Sequence, residues 1–118
     1  MDFFKQRLMA FKYAFSGFRS VFAKESHFRL HVLALLIVLN AGFYFHLSTN
    51  EWLAVLICST LVISLELVNS AIETLCDMVS LEKNNQIKYI KDAAAAAVLA
   101  AAIASLVVAF LVFWPKLR

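Results

Sequence analysis

Apolar and polar positions follow two rhythms along this chain. Between Asp2 and Lys24, Phe4, Leu8, Phe11, Phe15, Phe18 and Phe22 recur at intervals of 4, 3, 4, 3 and 4, which is one face of an α-helix. Lys5, Lys12 and Arg19 lie off that stripe. An aromatic face opposed by basic residues suits a helix lying in a membrane interface, and an ordinary amphipathic core helix is the plainer alternative. Further on the periodicity gives way to long uncharged runs. Leu30–Leu47 is near the lower limit for crossing a bilayer, about 17–25 residues. Ser48 and Glu51 then have capping-box spacing, so a helix is expected to start there. Fourteen uncharged residues follow, Trp52–Leu65, and the same helix is expected to run on to about Ser80. "LEKNNQIK" reads as a polar connection. Ala93–Trp114 is a third run, 22 residues without a charge, ten of them alanine. Small side chains let backbones approach closely in lipid, so this helix is expected to be central to the packing. The pattern therefore predicts a single all-α membrane domain over 1–118, with an interfacial helix at 2–24 and membrane helices at 28–47, 51–80 and 90–115.

Composition agrees. A chain of 118 residues that is 63% hydrophobic is too small to bury that much apolar surface in a water-soluble domain. The net charge of +3 does not imply nucleic-acid binding, because the basic residues flank the apolar runs and form no patch of their own. The N-terminal stretch alternates charge and aromatics, unlike a signal peptide. Cys58 and Cys76 lie eighteen residues apart, about 27 Å on one helix, too far for an intrachain disulfide. Six Lys and Arg precede the first span and three lie between the second and third, whereas none falls in 46–51. The N-terminus and the 81–92 connection are therefore expected on the cytoplasmic side, with Lys116 and Arg118 as the two dissenting charges.

The chemistry gathers at that cytoplasmic side. Glu66, Asn69, Glu73 and Asp77 are spaced by 3, 4 and 4 and share one face of the second membrane helix. Glu25 sits where the interfacial helix turns into the first span, and Lys91 and Asp92 where the third begins. Each has an ordinary reading: Glu25 as a solvated cap, Lys91–Asp92 as a common helix-start pair, Asp77 reaching interfacial water, Asn69 bonding a neighbouring helix. Glu66 resists this, because it lies deepest, and ionisable groups at membrane depth default to functional roles. Several carboxylates beside one lysine would repel each other. A hard divalent cation, magnesium above all, removes the difficulty, held by one or two carboxylates and substrate phosphates, with the lysine as a point charge for phosphate. Gly17 and Gly42 are the only glycines, so no glycine-rich phosphate loop exists.

"ELVNSAIETLCD", followed by "KDAAAAAVL", resembles the prokaryotic diacylglycerol kinase family, which includes undecaprenol kinases. "GFR" at Gly17–Arg19 and "ESHFR" at Glu25–Arg29 extend the resemblance over nearly the whole chain. It implies three transmembrane helices and a surface helix, assembled as a homotrimer in the bacterial plasma membrane, with composite sites at the cytoplasmic face. It further implies phosphorylation of a membrane lipid alcohol by ATP with Mg²⁺. By the same resemblance Glu66 is the general base, and Glu25 and Glu73 hold metal. Lys91, Asp92 and Asp77 join them on the nucleotide side. Asn69, Ser70, Arg29, Arg19 and Tyr13 order the site or meet substrate. His31 stands where diacylglycerol kinases of Gram-negative type tend to have an acid, and "FRLH" looks more like the undecaprenol kinase branch. That favours undecaprenol as acceptor, with diacylglycerol as the alternative and plain packing as the other reading of His31.

Two rival functions remain at this point. A small oligomeric proton- or cation-coupled transporter would also place an acid in a span, but Trp52–Leu65 offers only Ser59, Thr60 and Ser64 to continue a polar path outward. A purely structural membrane protein would have no use for a costly Glu66.

Overall fold

The computed structural model describes residues 2–118, which form four helices and, among the described residues, no strand. These are α1 (Phe3–Lys24), α2 (Ser26–Tyr44), α3 (Thr49–Val79) and α4 (Asn85–Leu117). The last three are long and apolar enough to cross a membrane. The fold is thus the all-α membrane arrangement that the apolar runs imply.

Helix ends follow local chemistry. Asp2 caps α1 by accepting from the Lys5 amide at 2.9 Å. The expected capping box closes at the start of α3: Ser48 Oγ accepts from the Glu51 amide at 3.2 Å, and Glu51 Oε1 from the Ser48 amide at 2.9 Å. Glu25 is the single extended residue between α1 and α2, so the first membrane helix starts at Ser26. It ends at Tyr44, short of Leu47, in a turn where His46 takes a left-handed φ of 54° and the Leu47 amide bonds the Gly42 carbonyl at 3.2 Å. Gly42 is required here, since an added Cβ would lie 2.5 Å from Trp52 Cη2. The larger difference is at α4, which starts at Asn85 rather than near 90. Asn84 accepts from the amides of Gln86 and Ile87 at 2.8 and 3.4 Å, and this side-chain cap turns half of the expected polar connection into helix.

Packing is greatest between α3 and α4, then between α2 and α3. Buried Val98 and Ala101 line the inner face of α4, and Ser105 Oγ reaches the Cys58 carbonyl of α3 at 3.3 Å. The alanine-rich helix is therefore a packing element on one side, while Leu99, Ile103 and Phe110 of its other face are exposed, as suits lipid. A cluster of Leu47, Val55 and Val112 closes the end at the α2–α3 turn. Lys116 pairs there with Glu51 at 3.2 Å, so one of the two charges that disagree with the orientation rule is neutralised locally.

The aromatic stripe of α1 divides in two. Phe4, Leu8, Phe11 and Phe15 are 66–78% exposed, whereas Phe18 stacks edge-on against Phe28 of α2 at 5.2 Å, and Phe28 is fully buried. The C-terminal turns of α1 thus dock on the helical hairpin, and the remainder presents a bare apolar face.

Candidate functional site

The α1–α2 corner, the last turns of α3 and the first turns of α4 meet at one end of the molecule. A pocket of about 190 Å³ lies there, lined by Glu25, His27, Glu66, Asn69, Ser70, Glu73, Ala95 and Val98. Its floor follows from helix geometry. Glu66, Ser70 and Glu73 are four and three residues apart on α3, so they share the face turned toward Glu25. Ser70 is buried and its hydroxyl donates to Glu25 Oε1 at 3.3 Å, which pins the corner onto α3. Asn69 Nδ2 donates to Glu73 Oε1 at 3.3 Å. Asn69 Oδ1 is buried with no hydrogen-bond partner among the described residues. A buried acceptor left unsatisfied is costly, and it marks where a donor or a cation would be welcome.

Glu66 is well shielded, its side chain 12% exposed. Its Oε1 lies 3.0 Å from Nε2 of His31 on α2. His31 also lines a larger groove of about 420 Å³ between α2, α3 and α4, walled by Leu35, Val38, Val55, Val62 and Val108. His27 borders both cavities, so the small polar pocket and the large apolar groove are neighbours.

The other expected site residues are arranged differently. Lys91 pairs with Asp77 at 2.8 Å on the half-exposed surface beyond Glu73, one step from the pocket wall. Asp92 turns outward to Lys88 at 2.6 Å, an exposed pair on its own helix, so it does not join the acids. Arg29 bonds the Phe22 and Ala23 carbonyls at 2.8 and 3.0 Å, satisfying the end of α1 and shaping the corner. Tyr13 and Arg19 lie on exposed turns of α1 and line neither cavity. Within one chain the pocket thus gathers three carboxylates, Asn69 and Ser70, with the Asp77–Lys91 pair adjacent. Among the described residues no three His, Cys, Asp or Glu side chains converge tightly enough to enclose a metal by themselves. His27 was not expected from the sequence, although its spacing of four from His31 puts both on one face of α2.

Residues 12–113 match the model of the prokaryotic diacylglycerol kinase family. The chain is 36% identical over 108 residues to an undecaprenol kinase of Bacillus subtilis, covering 92% of this chain and 88% of that protein. It is 35% identical over 111 residues to a diacylglycerol kinase of Synechocystis sp., covering 93% of this chain but only 63% of that longer protein. A diacylglycerol kinase of Pseudomonas aeruginosa is 36% identical over 93 residues, 79% of this chain and 76% of that protein. The chain belongs to the prokaryotic diacylglycerol kinase family, a family of membrane lipid kinases.

Proposed function

We propose that the protein transfers the γ-phosphoryl group of ATP to the hydroxyl of a membrane lipid at the cytoplasmic face of the bacterial plasma membrane. One observation carries the reading: a carboxylate-lined pocket stands beside an apolar groove between membrane helices, with His27 lining both. The groove suits the chain of a lipid, and the pocket suits its polar end. Undecaprenol is the favoured acceptor, because an imidazole rather than an acid faces Glu66. Diacylglycerol is the alternative, and the relatives' names include both.

The division of labour follows depth. Glu66 is nearest the groove and takes the proton of the acceptor hydroxyl as its oxygen bonds to the γ-phosphorus. The bond from that phosphorus to the bridging oxygen breaks, ADP departs, and the proton later passes to water. Glu25 and Glu73 are the residues that would hold magnesium. The donor set fits a hard cation, since two carboxylates stand beside the unsatisfied Asn69 Oδ1. Magnesium, when bound, neutralises charge on the phosphates. Lys91, released from Asp77, meets the phosphate oxygens, with Asp77 and Asp92 on the nucleotide side. Ser70 holds Glu25 in place, while Tyr13, Arg19 and Arg29 shape the approach from α1. A homotrimer would let neighbouring chains cover the exposed apolar faces and the open side of the pocket.

The transporter alternative gains no support, because the groove beyond His31 is walled mainly by aliphatic side chains. ATP consumption by the purified protein, measured with undecaprenol and with diacylglycerol side by side, tests the proposal. Lipid-dependent turnover supports it, and ATP hydrolysis indifferent to either lipid removes it.

A further inference from the structure

We propose that His31 is a positioning residue that aims Glu66 at the acceptor hydroxyl, an inference that rests on the assignment of Glu66 as the base. Nε2 of His31 stands 3.0 Å from Oε1 of Glu66, and because a carboxylate only accepts, a proton carried on Nε2 would face that oxygen. That contact engages Oε1 of Glu66, and Oε2 is the oxygen assigned to receive the proton. It also closes Nε2 of His31 as a base while the contact lasts. With the Glu66 side chain 12% exposed, little water is available to hold the carboxylate instead. Without His31 the side chain would be free to turn, either toward His27 or away from the acidic side chains of Glu25 and Glu73 that share its pocket.

The contact is part of a two-point clamp. Going inward along α2 from the corner, Glu25 meets Ser70 and His31 meets Glu66, while α3 runs the opposite way. The two points lie six residues apart on one strand of the clamp and four on the other. Each fixes a group that faces the same pocket. His31 also lines the apolar groove while Glu66 lines the polar pocket, so their contact lies between the two cavities.

The chemistry of the contact selects the test. Glutamine places an N–H donor about where Nε2 stands, whereas asparagine, one methylene shorter, places it near Nδ1. His31→Gln should keep turnover within a few-fold of the parent. His31→Asn and His31→Leu should each lower kcat by about 10- to 100-fold with KM for MgATP unchanged, as misplacement of a reacting group does. The decisive arm is the double variant: in a Glu66→Gln background, His31→Leu should cost less than about twofold, because the group it positions is gone. Helix content and elution in detergent are checked for every variant, and the Gln and Asn substitutions keep the comparison polar should leucine fail to fold. Equal, multiplicative losses in both backgrounds, or equal activity of the Gln, Asn and Leu variants, overturn the role of His31 while leaving the kinase reading intact. Parental turnover in Glu66→Gln alone overturns the base assignment and this proposal with it.

Discussion

Replacing Glu66 by glutamine keeps the shape of the side chain and removes its charge and its ability to take a proton. The cost to folding should be small. The imidazole Nε2, 3.0 Å from Glu66 Oε1, would meet an amide in place of a carboxylate. A charged contact, worth at most about 1.5–3 kcal/mol, becomes a neutral one worth at most about 0.5–1.5. Relief from burying a charge offsets that loss, leaving the fold within about 1 kcal/mol of the parent. The effect on nucleotide is also bounded. Glu66 lies seven residues from Glu73, about 10.5 Å along the axis of α3. Removing one charge at that distance changes the interaction by about 0.4 kcal/mol in water and about 1.6 at an effective dielectric of 20. MgATP affinity should therefore change by no more than about 2- to 15-fold. Turnover should fall by about 10²–10⁴-fold, or about 2.7–5.5 kcal/mol of transition-state stabilisation, the usual contribution of a general base. The ranges do not overlap, so kcat and nucleotide affinity measured on one purified sample separate the roles. Turnover near the parental value would show that another group, or none, takes the proton. A loss of affinity as large as the loss of turnover would move Glu66 into the metal shell.

Three further outcomes are expected. Glu25→Gln and Glu73→Gln should raise KM for MgATP by roughly 10- to 150-fold, as loss of a charged contact of about 1.5–3 kcal/mol requires, and Lys91→Met should act through the same constant; unchanged KM in all three, read in a titration with magnesium and ATP, would place the nucleotide elsewhere. Gly42→Ala should destabilise the protein by about 1–3 kcal/mol through overpacking against Trp52, whose ring lies 2.5 Å from the position of the new Cβ, and a thermal melt in detergent at the parental midpoint would contradict it. With Cys58 and Cys76 replaced by alanine, a cysteine at position 2 should be protected from an impermeant reagent in intact cells and one at position 117 labelled; equal protection of the two would mean an even number of spans.

Much of this protein is legible in one dimension. A membrane span must be a long apolar run with its charges at the ends, so the three crossing helices follow from the order of residues alone. Within a helix the 3.6-residue period decides which side chains share a face, and the stripe of Glu66, Asn69, Glu73 and Asp77 is visible for that reason. The Ser48–Glu51 cap is equally local, whereas the Asn84 cap sits inside a polar stretch with no apolar period to mark it, and it starts α4 earlier than the apolar run does. What each face meets is not a local property. It depends on the rotation and register of one helix against another, which side-chain packing across α2, α3 and α4 decides. The tertiary structure thus divides the stripe: Glu66 goes to His31, Glu73 holds Asn69, and Asp77 is left to Lys91 at the surface. It turns Asp92 away to Lys88, uses Arg29 to finish α1, and brings His27 to the mouth of the groove. Ser70, which the family resemblance marks as a site residue without a partner, becomes the buried anchor of Glu25, because only the docking of the α1–α2 corner onto α3 puts forty-five residues of chain separation within hydrogen-bond reach.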